Sequence, residues 1–210
     1  MIKKFDNITI DCLCEDKEYI QLLENIQNKF KKINVFFGID VLHKPVIIKL
    51  WDNVDSFRDN ERIMFGRQKV ANWLCGVARN LTDVFQIDTL ILSELNKCES
   101  HEEETIVDLE KLITHEYVHI CVSEIGECKV EWLDESFATF LSGQKPNKIG
   151  SCTMQDLIDD NNCEYSTYYA LGNVICDNYS NEEICKMIKD ERFLKLHIKD
   201  IFEKFKLYKV

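Results

Sequence analysis

His115-Glu116-Tyr117-Val118-His119 lies inside an apolar, periodic run that reads as helix. Residues four apart on a helix stand one above the other on a single face. His115 and His119 therefore offer two imidazoles to one metal ion, and Glu116 sits one step round the helix, beside an open coordination position. Two ligands and a general base from one rigid element is the arrangement that zinc-dependent hydrolysis needs. An exposed histidine pair on a helix is the plain alternative, and the residues after the motif distinguish the two.

Working outward, Ile106, Leu109, Leu112, Ile113 and Ile120 give this helix an apolar face, and it is expected over residues 103–122. The polar segment 96–104 before it, with Glu99 and Glu102 to Glu104, reads as a loop whose acidic end complements the positive end of the helix dipole. His101 there reads as exposed. Further upstream, residues 5–14 alternate as a strand, and Tyr19, Leu22, Leu23, Ile26 and Phe30 mark an amphipathic helix over residues 16–32. Val35-Phe36-Phe37 is a short apolar piece ended by Gly38. A strand is expected over 45–51 and a short helix over 55–62, with Asp52, Asn53 or Asp55 as its cap. Short strands over 70–78 and 84–92, with a turn at 80–83, precede the motif. After it the pattern is helical, over 130–141, 154–158, 168–179, 184–188 and 193–207. The expected fold is α+β in one domain: a small mixed or antiparallel sheet within residues 1–100, then a helical part, 101–210, holding the site.

A chain of 210 residues is long enough for one domain with a substantial core. With 26 basic against 37 acidic residues the formal charge is −11, which argues against nucleic acid or an anionic membrane as partner. No run approaches 18 apolar residues, so no membrane span is expected, and the N-terminus lacks the apolar stretch of an export signal. The ten cysteines contain no C-x-x-C pair, and Cys121, Cys176 and Cys185 fall inside apolar periodic runs. They read as small buried hydrophobes of a cytoplasmic protein. Cys12 and Cys14 would share one face of a strand. His43 reads as structural.

A catalytic zinc takes three protein ligands and leaves the fourth position to water. The H-x-x-G-x-x-H continuation is absent, because Val122 and Ile125 occupy the glycine and second histidine places. The one later histidine, His197, lies in a basic amphipathic tail and reads as a surface or packing residue. A carboxylate is the expected third ligand, and Glu131, Asp134 and Glu135 are the candidates.

At this point the chain resembles a family. Trp132-Leu133-Asp134-Glu135-Ser136-Phe137-Ala138 is similar to the W-L-N-E-G-F-A segment of the gluzincin metallopeptidases, in particular thermolysin-like and leukotriene-hydrolase-type catalytic domains. The resemblance implies a zincin-like fold, one zinc ion held by His115, His119 and Glu135, and Glu116 as general base. Tyr169-Ala170-Leu171-Gly172 resembles their Y-x-x-G helix start, which implies Tyr169 as a hydrogen-bond donor to the oxyanion; Tyr165 and Tyr168 carry the same hydroxyl nearby. Gly76-Val77-Ala78-Arg79-Asn80 resembles their G-x-M-E-N strand, which implies substrate contacts from Gly76, Val77, Ala78 and Arg79. Arg79 replaces the glutamate that binds a substrate's free amine, which weakens an aminopeptidase assignment.

Other departures are a link of fifteen residues between His119 and Glu135, shorter than in the aminopeptidases, and Ser136 in a glycine place. Thr139 stands where thermolysin-like enzymes carry a carboxylate that orients a ligand histidine. The implied activity is hydrolysis of peptides or unfolded protein, with the strand over 73–79 pairing an extended substrate. Two other classes fit the same residues: a zinc-binding interaction protein with little turnover, and a metal-free structural relative.

Overall fold

A computed structural model describes residues 2–5, 8–12, 17–66, 68–161 and 163–208. Five strands, β1 (Ile2–Phe5), β2 (Ile8–Cys12), β3 (Val46–Trp51), β4 (Gly76–Asn80) and β5 (Phe85–Leu90), form one mixed sheet in the order β1-β2-β3-β5-β4. β2, β3 and β5 run parallel, while β1 and β4 lie antiparallel to their neighbours at the two ends. The helices are α1 (Lys17–Phe37), α2 (Val54–Phe65), α3 (Leu92–Leu95), α4 (Ile106–Ile125), α5 (Glu131–Ser142), α6 (Met154–Asp159), α7 (Tyr168–Asn178), α8 (Asn181–Lys189) and α9 (Glu191–Tyr208). The α+β class expected from the pattern is the one observed.

Several local readings need correction. Residues 5–14 do not form one strand: β1 and β2 pair antiparallel, with Phe5 opposite Ile8 and Ile2 opposite Asp11. Cys14 lies outside the described residues. Val35-Phe36-Phe37 is not a separate piece, because Phe30, Ile33 and Phe37 keep the helical spacing on the buried side of α1 until Gly38 turns the chain at φ 67°. The strand expected over 70–78 begins only at Gly76. Beyond β5 the chain turns into α3 instead of extending to residue 92, since Ile91 caps it and accepts the Glu94 and Leu95 amides.

The chain resolves into two compact units, residues 1–31 with 42–120, and residues 32–41 with 121–210. In the first unit β3 alternates, with Val46, Ile48 and Leu50 buried, whereas all six residues of β5 are buried. Leu22, Leu23, Ile26 and Phe30 of α1 and Leu109, Ile113 and Tyr117 of α4 complete its core. Helix α4 starts where Thr105 donates its amide and hydroxyl to Asp108 (3.1 and 2.6 Å), the reach-back half of a capping box. The acidic residue that takes these donors is Asp108, inside the first turn.

The second unit is helical, and its tightest crossing is that of α5 over α7. A side chain at Gly172 would run into the Ser136 carbonyl and lie 2.6 Å from Phe140 Cβ. Ser136 is fully buried and folds its hydroxyl back onto the Trp132 carbonyl at 2.5 Å. Both positions must be small for the two backbones to approach. Among the described residues no helix is long and apolar enough to cross a membrane.

Two outcomes follow for stability. Gly172→Ala meets backbone, which cannot rotate away, and is expected to destabilise by about 3 kcal/mol, read as a lowered Tm in calorimetry. Burial pushes the Asp108 carboxyl upward, but Lys111 and the Thr105 donors outweigh it and hold the group down at about 2, below its ordinary 3.8. A depressed carboxylate stabilises fully above its unfolded value and loses that contribution as pH falls through the folded one. Asp108→Ala should therefore cost about 1 kcal/mol at neutral pH. That difference from wild type should close between pH ~4 and ~2 in melts followed by circular dichroism.

Candidate metal centre

Helix α4 presents the motif because its other sides are committed to the core. Tyr117 and Val118 are 1% and 0% exposed, and the Tyr117 ring stacks on Phe30 with centroids 3.5 Å apart and planes 5° from parallel. With those two residues held inside, His115 and His119 fall on one face. Their Nε2 atoms approach to 3.1 Å. Two nitrogens bound to zinc at about 2.05 Å in a tetrahedron stand roughly 3.3 Å apart, so the pair already has nearly the edge length that zinc requires.

One ligand atom from each of His115, His119 and Glu135 forms a set whose members all lie within 4.8 Å of one another. Two imidazoles and a carboxylate are the donor set of a catalytic zinc site. Of the three acidic candidates on α5, Glu135 is the one in the set. Thr139 Oγ1 donates to the Glu135 carbonyl at 2.8 Å, along its own helix.

Glu116, 7% exposed, lies against β4. A Cβ at Gly76 would be 2.8 Å from Glu116 Oε1 and 3.0 Å from Leu112 Cδ1, so glycine there leaves room for the carboxylate. β4 ends the sheet order, with β5 as its neighbour, which is where an added strand can pair. Val77 and Ala78 are half-buried along it.

Arg79, the fourth residue of that strand, is 7% exposed and its guanidinium pairs with Asp88 and Glu61. Trp51 Nε1 and Gln86 Nε2 also donate to Asp88, at 2.7 and 2.6 Å. The arginine neutralises two buried carboxylates; its charge belongs to the interior of the sheet. Asp88, a charged residue between Ile87 and Leu90 in a strand buried along its whole length, is the sequence signal for this cluster.

Tyr169 packs its ring on Phe140, with centroids 5.4 Å apart, and burial, then the Tyr208 hydroxyl, raise its pKa. Burial pushes the Tyr168 hydroxyl up, with Cys163, Glu131, Glu135 and Asp160 adding to it. Tyr165 Oη donates to Gln144 at 3.3 Å. Among the other histidines, His101 faces Glu104, His43 meets Phe85 edge-on, and His197 packs between Tyr179 and Phe193. The cysteines whose side chains are described carry free thiols; burial pushes Cys128 and Cys176 up to about 12, which makes them poor nucleophiles.

No protein-family model, curated protein or solved structure matches this chain.

Arg79→Met removes the cation and leaves Asp88 and Glu61 buried without it. The expected cost is about 3–5 kcal/mol, read in a urea melt. A residue serving only a substrate would cost a few tenths.

Proposed function

We propose that this chain is a zinc-dependent peptidase of gluzincin type with a zincin-like domain. The observation that carries the reading is the coincidence of the H-E-x-x-H spacing with a third donor, Glu135, within 4.8 Å. His115, His119 and Glu135 would hold the ion. Bound there, zinc would supply a Lewis acid and a water acidic enough to ionise near pH ~7.

The remaining chemistry belongs to the chain. Glu116 takes the proton of the attacking water on its carboxylate and then delivers it to the leaving amine nitrogen. A carboxylate suits both roles, and glycine at position 76 leaves room for this one, 7% exposed, against β4. An extended peptide added to the outer edge of β4 would run past Gly76, Val77 and Ala78, which brings a scissile carbonyl beside Glu116. A tyrosine hydroxyl from the start of α7 would donate to the developing oxyanion. The resemblance assigns that role to Tyr169, and Tyr168 carries the same hydroxyl one position earlier.

The test is paired measurement of bound zinc and of hydrolysis of a peptide library. Wild type should bind one zinc, lose turnover in chelator and recover it on zinc addition. Glu116→Gln should keep the metal and lose at least a hundredfold in rate, while Glu135→Ala loses turnover and holds zinc only weakly, through the histidine pair. Of Tyr168→Phe and Tyr169→Phe, the oxyanion donor is the one whose loss lowers kcat with zinc retained. Bound zinc with no wild-type turnover on any peptide would favour a zinc-binding interaction protein, and wild type free of zinc ends both readings.

A further inference from the structure

The helix that carries Glu135 has no cap of its own. The first amides of any helix lack intrahelical acceptors, and the residue at the N-cap position of α5 is Val130, which makes no side-chain cap bond. The acceptor arrives from later in the chain. Asp160 takes the Glu131 amide on Oδ2 at 3.0 Å and the Trp132 amide on Oδ1 at 3.2 Å, so each carboxylate oxygen serves one donor. A third bond from the same segment runs from Trp132 Nε1 to the Leu157 carbonyl at 2.9 Å, and Trp132 is fully buried.

The Asp160 carboxylate is itself aimed by an ordered turn. α6 opens with a reciprocal capping box between Thr153 and Asp156. It ends at Asp160 in the left-handed region, φ 51°, with the Asp160 and Asn161 amides both returning to the Asp156 carbonyl. Aspartate tolerates that conformation better than most residues. Its negative charge also complements the positive end of the α5 dipole.

Glu135 stands four residues after Glu131, one turn beyond the bonds to Asp160 and on the same face. Fixing the first two amides of a helix fixes both its rotation and its advance along the axis. A ligand side chain must be held within about 0.5 Å to serve a metal.

We propose that Asp160 is a positioning residue for Glu135: by holding the first two amides of α5 it sets the phase and depth at which that carboxylate is presented to a metal. The inference rests on the metal-centre reading above. It predicts coupling between two residues that are 25 apart in sequence, one of which never touches the ion.

The experiment is a zinc titration against a competing chelator, on the full chain, below the melting range of every variant. Asp160→Ala should weaken zinc binding about tenfold, the scale seen when a ligand's supporting partner is lost. In a Glu135→Ala background the same change should alter affinity less than twofold, since the remaining histidine pair sits on α4. Adding Val130→Asp to Asp160→Ala supplies a local cap oxygen and should recover most of the loss. Cobalt-substituted Asp160→Ala should give the visible spectrum of Glu135→Ala. If Asp160→Ala does not fold, Asp160→Asn, which retains one acceptor oxygen, carries the same comparison. Unchanged affinity, or an equal loss in both backgrounds, overturns the positioning role while leaving the metal reading intact. Wild type that binds no zinc overturns the metal reading and this inference with it.

Discussion

Tyr117 lies flat against Phe30, ring centroids 3.5 Å apart, and that stack fixes which way helix α4 faces. A helix turns through roughly 100° per residue, so locking one position locks its neighbours. With Tyr117 and Val118 held in the core, His115 and His119 have to share a face, and Glu116 has to meet β4. The 3.1 Å approach of the two imidazole nitrogens follows from this phase and needs no metal to create it. A helix free to rotate would carry the same motif and present nothing.

The sheet imposes a second constraint. β5 runs between β3 and β4 and is buried along its whole length, yet it carries Gln86, Asp88 and Thr89. An isolated buried carboxylate is prohibitively costly, so Asp88 must be met by cations and donors. Arg79 on the neighbouring strand meets it, and Glu61 on α2 closes the group from the other side of the guanidinium. This explains why an arginine is tolerated in a strand that borders the candidate site. Its charge is neutralised inward. The outer edge of β4 and the room left by Gly76 are what that strand would offer the proposed substrate.

In the second unit the controlling terms are close approach and capping. Gly172 and Ser136 let α5 and α7 cross with backbone against side chain, and Phe137 from the same helix meets Phe37 edge-on. α8 opens with its own capping box from Ser180 to Glu183 and α6 with one from Thr153, whereas α5 depends on Asp160. The helix with the candidate ligand therefore starts on an acceptor from later in the chain, while α6 and α8 start on local ones.

The sequence by itself determined the α+β class, most helices to within a few residues, and the H-E-x-x-H face, because these depend on periods of two and 3.6 that are written into consecutive residues. It also narrowed the candidate acidic ligand to three positions on one helix. That β1 and β2 are two strands, that the strand near the site starts at Gly76, that Arg79 serves Asp88 and Glu61, and that Asp160 caps α5 all come from the folded chain. Each of these is a pairing between residues distant in the chain. Such pairings are fixed by where backbones converge and which buried charges need neutralising, and neither leaves a local pattern in the sequence.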